Sequence, residues 1–213
     1  KMIYLYFVRH GETLFNIYHR MQGWCDTPLT AKGRNQAMDV AYGLDDIPFT
    51  HVYSSDSGRA IETAHYIASM KKLKPIMHSG FREMFFGTME GLDTYFGRFK
   101  DKDYRDNEGW IDVGGENMEM LQERMFQTIY SILPKDEKTE KHIIIVSHGI
   151  AIMSLVQRLD ERFFQQLEDY GGVLKNTSVT TITYANGSFS LQDFNNIKYM
   201  KKGGTLRNEK NYK

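Results

Sequence analysis

Two apolar runs constrain this chain more than any other feature, because each ends abruptly in His-Gly. Residues 2–8 are nearly unbroken apolar residues, rich in β-branched and aromatic side chains, and break into Arg9, His10, Gly11 and Glu12. Residues 142–147, His-Ile-Ile-Ile-Val-Ser, run straight into His148 and Gly149. Such runs read as strands buried on both faces of a sheet. In open parallel sheets the carboxyl ends of the strands border a crevice where ligands bind, with unpaired backbone donors at the helix starts nearby. Two histidines at equivalent strand ends are harder to dismiss as incidental than one alone.

The rest of the chain alternates strand and helix signals. Thr30 offers an N-cap for an amphipathic helix over 31–44, and His51 to Ser55 reads as a short strand. Asp56 or Ser57 caps a helix with Ala60, Ile61, Ala64, Ile67 and Ala68 on one stripe; Pro75 to His78 is another short strand. Met118, Leu121, Met125, Ile129 and Ile132 mark a long helix over 116–133, and a further helix follows His148. Residues 179–184 and 189–194 flank Asn186-Gly187, a two-residue hairpin signal. This pattern predicts an α/β layered domain with a mostly parallel central sheet. Seven glycines punctuate residues 80–115, so a lid-like segment is expected at 85–113, with a short helix from Leu92 to about Tyr104.

At 213 residues, 41% hydrophobic and 25% charged, the composition is that of an ordinary globular protein, and one domain over 1–197 is expected. The formal net charge is zero, which advertises neither nucleic acid nor membrane. The charge is unevenly spread. Residues 198–213 hold six of the 27 bases and one of the 27 acids, leaving 21 against 26, or −5, on the body. That basic tail reads as solvated and flexible. Cys25 is the only cysteine, so no intramolecular disulfide forms. The apolar start is too short for a signal-peptide core with its flanks, and no segment approaches the roughly 20 apolar residues of a membrane span. A cytoplasmic location and, on base rates, a homodimer are the expectations.

Arg9 and Arg59, the latter just inside the helix after the third strand candidate, join the two histidines at the expected active edge. A metal site is the rival reading of paired histidines. Two arginines would repel a divalent cation, and neither a His-Glu-x-x-His spacing nor a cysteine cluster occurs. The guanidinium fork matches phosphate oxygens, so an anionic substrate fits better.

These residues resemble the signature of the histidine phosphatase superfamily, the phosphoglycerate mutase-like proteins. Arg9-His10-Gly11-Glu12-Thr13 is followed by Asn16, Gln22-Gly23, 26–30 (Asp-Thr-Pro-Leu-Thr) and 54–64, which contains Arg59. Arg82-Glu83, Gly87, Glu90-Gly91, Gly114-Gly115-Glu116, Ser147-His148-Gly149 and Asn176-Thr177-Ser178 continue it in family order over nearly the whole chain. The resemblance implies a three-layer α/β/α sandwich, a phosphoglycerate mutase-like fold, and chemistry with no metal and no cofactor. His10 would be the nucleophile that forms a phosphohistidine, with Arg9, Arg59 and a protonated His148 around the phosphoryl oxygens. Glu83 matches the family's general acid, with Glu12 and Glu90 as lesser candidates. Asn16, Gln22, Gly23 and Gly149 match positions near the phosphoryl group or substrate.

Within the superfamily, water or the bound product takes the phosphoryl group, giving a phosphatase or a mutase. A mutase must hold a small, doubly charged acid while it reorients, which calls for added cations. Here residues 92–113 hold Arg98, Lys100, Lys102 and Arg105 mixed with Asp101, Asp103 and Asp106, without an adjacent arginine pair. Residues 82–91 resemble the bacterial phosphatase branch. The expected activity is phosphate monoester hydrolysis on a small phosphorylated substrate, with a phosphoglycerate mutase as alternative and a non-catalytic phosphate binder as a third. Phe15, Met21, Trp24, Met84 and Phe85 are candidates for an apolar substrate wall. Sugar phosphates, nucleotides and larger esters all suit the mixture of aromatics and charges, and fold alone does not choose among them.

Overall fold

The computed structural model, described for residues 1–94, 108–135, 139–160, 162, 166 and 173–211, is built on a six-stranded sheet. The two apolar runs become β1 (Ile3–Arg9) and β4 (Lys141–Ser147), neighbouring parallel strands with Val8 opposite Val146 and Arg9 opposite Ser147. Both His-Gly steps therefore leave the sheet side by side. β2 (His51–Ser54) lies parallel to β4, and β3 (Ile76–Met77) parallel to β2. Beyond β1, β5 (Val179–Ala185) and β6 (Ser188–Asn196) form an antiparallel hairpin, giving the order β3-β2-β4-β1-β5-β6. The sheet is thus mixed but mostly parallel. Asn186 and Gly187 both adopt left-handed φ, 52° and 78°, as a two-residue turn between twisted strands requires.

Alternation along the central strands fills both faces. Ile3, Leu5 and Phe7 pack with Leu121, Met125 and Ile129 of α4 (Met118–Ile132) and with Ala151, Ile152 and Leu155 of α5 (Gly149–Leu159). Tyr6 and Val8 pack on the opposite face with Val40 and Ala41 of α2 (Ala31–Gly43) and Ala60, Ala64 and Ile67 of α3 (Gly58–Met70). This is the three-layer α/β/α arrangement. A one-turn helix, α1 (Leu14–Ile17), follows the first His-Gly step, capped by Thr13 and Asn16. Among the described residues no helix is long and apolar enough to cross a membrane.

The structure corrects the reading of the C-terminal segment. Rather than a flexible tail, Lys198–Asn211 form a helix, α6, laid against α2. The crossing depends on small residues: a Cβ on Gly43 would lie 1.8 Å from the Tyr199 carbonyl O, and one on Gly203 would lie 1.6 Å from the Asp39 carbonyl O. The basic residues then find acids on the body, Arg207 with Asp39 and Lys202 with Asp46, each at 2.7 Å. The expected lid falls partly outside the described residues, as does most of the Leu92–Tyr104 helix with Arg98, Lys100, Lys102 and Arg105. Within it, Gly87–Met89 and Ile111–Val113 are single 3₁₀ turns, and residues 92–94 are not helical.

Candidate active site

His10 leaves the end of β1 with its ring 97% buried, and its two nitrogens have distinct partners. Nδ1 lies 2.7 Å from the Gly11 carbonyl, an acceptor, so Nδ1 carries the proton. Nε2 accepts from Arg59 Nε–H at 3.3 Å. This is the neutral tautomer with its lone pair on Nε2. Burial first, and then Arg59 and Arg9, hold the imidazole well below its ordinary pKa, against the pull of the Gly11 hydrogen bond. The strand end itself is pinned: His10 N donates to Ser147 O, and Asn176 Nδ2 donates to His10 O at 3.0 Å. Gly11 N donates to Thr63 Oγ1, which in turn donates to Arg59 O. Glycine is required at position 11 by close packing, because a Cβ there would sit 2.4 Å from the Gly33 carbonyl O of α2.

Arg59 is 99% buried and its donors are shared out: Nη1 to Cys25 O and Asp26 Oδ1, Nη2 to Gly23 O at 2.7 Å, and Nε to His10. It ties the 22–26 loop to His10. Arg9 donates from Nη1 to Leu174 O, while its Nε is buried with no hydrogen-bond partner among the described residues. Burial, opposed by Glu83 and helped by Arg59, pulls the Arg9 guanidinium down to about 10, which still leaves it cationic at neutral pH.

His148 precedes α5, and its ring centroid is 5.2 Å from that of His10. Its Nε2 is 3.3 Å from Ser57 Oγ, while its Nδ1, like Arg9 Nε, is buried with no hydrogen-bond partner among the described residues. The expected helix cap at Ser57 is thereby redirected, since Ser57 makes no side-chain cap bond and faces His148; Asp56 is held bidentately by Arg82. Burial, Arg59, His10, Arg9 and Arg124 all push the His148 pKa well below its ordinary value.

Glu83 is 93% buried and accepts three backbone N–H groups, from Met84 and Ala151 on Oε1 and from Ile150 on Oε2. Its carboxyl thus caps the first turn of α5. Burial raises its pKa against those hydrogen bonds and Arg59. The other candidate acids are engaged elsewhere. Glu12 accepts from Thr30 and Lys32 at the start of α2; Glu90 accepts from the backbone N–H groups of Trp24, Cys25 and Phe86.

Arg9, His10, Asn16, Gln22, Glu83 and Gly149 line one cavity of about 360 Å³. His148 and Gly23 line a neighbouring cavity of about 340 Å³ with Trp24, Asp56, Ser57 and Arg82. The Gln22 side chain is occupied, donating to Thr13 and accepting from Thr27, and Gly23 supplies its carbonyl to Arg59. Asn16 Oδ1 accepts from Thr13 N and from Asn176 Nδ2. Of the proposed apolar wall, Met21 lines the first cavity, whereas Met84 is core and Phe85 packs against Trp24 with the two rings tilted by 33°.

A sequence model of the histidine phosphatase superfamily (branch 1) matches residues 5–197. The chain belongs to this superfamily. It is 36% identical over 163 residues to a probable phosphoglycerate mutase, GpmB, of Escherichia coli O1:K1, spanning 74% of this chain and 75% of that protein. A phosphoglycerate mutase from Bacillus anthracis superposes with a TM-score of 0.82 at 29% identity, over 95% of this chain and 97% of the other. Phosphoserine phosphatase from Entamoeba histolytica, solved with 3-phosphoglyceric acid, gives 0.78 at 29% identity, over 93% and 99%. Both mutases and phosphatases thus stand among the superfamily members that this chain resembles, and its fold is theirs.

Reading residue types at strand ends misses the residues that brace this superfamily site. Arg124 of α4 directs all three guanidinium nitrogens at the 80–83 segment and Glu116: Nη1 to Gly80 O and Arg82 O, Nη2 to Glu83 O and Glu116, and Nε to Glu116. The Glu116 carboxylate also accepts from Phe85 N. The only sequence signal for this brace was Glu116 itself, in the Gly-Gly-Glu motif.

Proposed function

We propose that the protein is a phosphomonoester phosphatase working through a phosphohistidine. The observation that carries this reading is the set of desolvated groups around His10. A buried imidazole presents an Nε2 lone pair, and two buried nitrogens of the same site, Arg9 Nε and His148 Nδ1, have no hydrogen-bond partner among the described residues; Arg9 Nε is a donor, and His148 Nδ1 becomes one when the imidazole is protonated. A small phosphorylated substrate places its phosphoryl oxygens on those donors. Arg59 Nε turns from His10 to the same oxygens, while its Nη atoms keep the 22–26 loop in place. Asn16, Gln22, Gly23 and Gly149 shape the pocket around the substrate, chiefly by bracing its walls.

His10 Nε2 attacks phosphorus and the P–O bond to the leaving group breaks. The departing alkoxide takes the proton of Glu83, whose raised pKa keeps a protonated fraction available. Water then attacks the phosphohistidine, Glu83 carboxylate accepts its proton, the P–N bond breaks and inorganic phosphate leaves. The two steps together return His10 and Glu83 to their starting states, so no cofactor is consumed. The dianion also offsets the positive field at His148, favouring its protonation once substrate is bound.

The mixed charges of residues 92–113 support hydrolysis over mutase action, and the resemblance to proteins named phosphoglycerate mutases favours the alternative. Two assays separate the readings. Hydrolysis of an aryl phosphate should fall by at least about 10³-fold in His10→Ala. Wild type should release inorganic phosphate faster than it interconverts phosphoglycerates. Rapid interconversion with negligible phosphate release would establish the mutase, and a His10→Ala variant with full activity would remove the phosphohistidine.

A further inference from the structure

The Nδ1–H of His10 has the Gly11 carbonyl as its acceptor, and that carbonyl belongs to the peptide group between residues 11 and 12. The other end of the same peptide group is also bound, since Glu12 N donates to Gln36 Oε1 of α2 at 2.9 Å. A backbone N–H can only donate, so the Gln36 amide must present its oxygen there, which settles the way it points. The start of α2 grips Glu12 on its other sides. Thr30 N donates to Glu12 O at 2.9 Å, and Thr30 Oγ1 and Lys32 Nζ hold its carboxylate. The helix comes this close because Gly33 has no side chain; a Cβ there would lie 2.0 Å from Glu12 O. The preceding peptide group, between residues 10 and 11, is pinned at both ends too, by Asn176 on its carbonyl and Thr63 on its N–H.

We infer that Gln36 is a positioning residue for the nucleophile: through the peptide group it shares with Gly11, it holds the carbonyl that keeps the His10 proton on Nδ1 and the lone pair on Nε2. Gln36 lies outside the described lining of the His10 cavity, so it acts on His10 rather than on substrate. Two effects run through the shared group. A planar peptide cannot turn its carbonyl away from Nδ1 without swinging its N–H off Gln36, so the amide fixes the plane. Binding that N–H also polarises the group and makes the carbonyl a stronger acceptor. Once the Gln36 oxygen is removed, the carbonyl is free to tilt and the proton to settle on either nitrogen. A His10 protonated on Nε2 offers no lone pair to phosphorus. For catalysis this rests on the phosphohistidine reading, whereas the tautomer is a property of the resting protein.

Nitrogen NMR of the His10 imidazole at pH 8 reads the tautomer directly, because protonated and lone-pair-bearing ring nitrogens resonate far apart. Wild type should carry its proton on Nδ1. Gln36→Met keeps the length and helix preference of the side chain but offers no oxygen acceptor. It should show a mixture of tautomers and slow the pre-steady-state burst of 4-nitrophenol from 4-nitrophenyl phosphate by about 10- to 100-fold. Gln36→Glu, which keeps an oxygen acceptor in place, should hold the wild-type tautomer and a burst within about threefold of wild type. A Gln36→Met protein whose His10 signals match wild type would overturn the inference, as would equal losses in the two variants. A mixed tautomer in Gln36→Met, with no burst from wild type, would instead keep the positioning role of Gln36 and remove the phosphatase.

Discussion

Glu83 holds two properties in tension. A carboxylate receiving three backbone N–H groups at a helix N-terminus is ordinarily strongly acidic, yet burial carries this one the other way. A group so balanced can be protonated when the leaving group departs and ionised when water attacks. Its contribution should then depend on how much the leaving group needs a proton. In Glu83→Gln, phosphate release from an alkyl ester should fall by about 10²- to 10⁴-fold, whereas 4-nitrophenyl phosphate, whose phenolate leaves readily unprotonated, should lose far less in the first step. Release of 4-nitrophenol measured as a pre-steady-state burst isolates that step. An equal loss for both esters there would mean that Glu83 only caps α5 and shapes the pocket.

The elements around Glu83 show which parts of the site can be seen in a sequence. Strand ends, helix starts and the Asn186-Gly187 turn follow from hydrophobic period and turn chemistry, so β1, β4, their two histidines and Arg9 and Arg59 were legible. The supports from Arg124 and Glu90 were not, because both act largely on backbone atoms distant in sequence, and such contacts leave no spacing rule. α6 was hidden for a related reason. Its glycines and lysines read as a solvated end, but Gly203 serves a close crossing with α2 and the bases meet Asp39 and Asp46. The brace at Arg124 can be tested by shape at constant charge. Arg124→Lys keeps the cation but loses the planar fork that reaches Gly80, Arg82, Glu83 and Glu116 together. It should cost about 1–3 kcal/mol in stability through the stranded carbonyls and Glu116 carboxylate. If the brace also sets Glu83, the variant should lose more activity on alkyl than on aryl esters. A loss of stability with an unchanged alkyl-to-aryl ratio would confine Arg124 to a structural role.

On the scale of the whole molecule, the site works against the stability of the fold, and the sign depends on pH. His10 and His148 are both held below their unfolded pKa of about 6.5, chiefly by burial. Above that value both are neutral in either state and cost nothing in protonation. As pH falls below it, the unfolded chain takes up protons that the folded chain refuses, and stability should drop by as much as about 1.4 kcal/mol per pH unit for each histidine until the folded pKa values are reached. Glu83 has the opposite sign, because its raised pKa favours the fold below about 4.5 and that advantage is lost as pH rises through the folded value. Glu83→Gln should therefore gain stability relative to wild type on going from pH 4.5 to pH 8. A His10→Gln/His148→Gln variant should show a shallower loss between pH 7 and pH 5 in urea unfolding, and a pH dependence matching wild type would show that the imidazoles titrate normally in the fold. Phosphate ties this linkage to function. An anion that restores a proton to His148 must be bound together with that proton, so calorimetry of inorganic phosphate binding at pH 7 should show net proton uptake that varies with buffer ionisation enthalpy. That uptake should shrink in His148→Gln, while the His10→Gln site should still take up the proton.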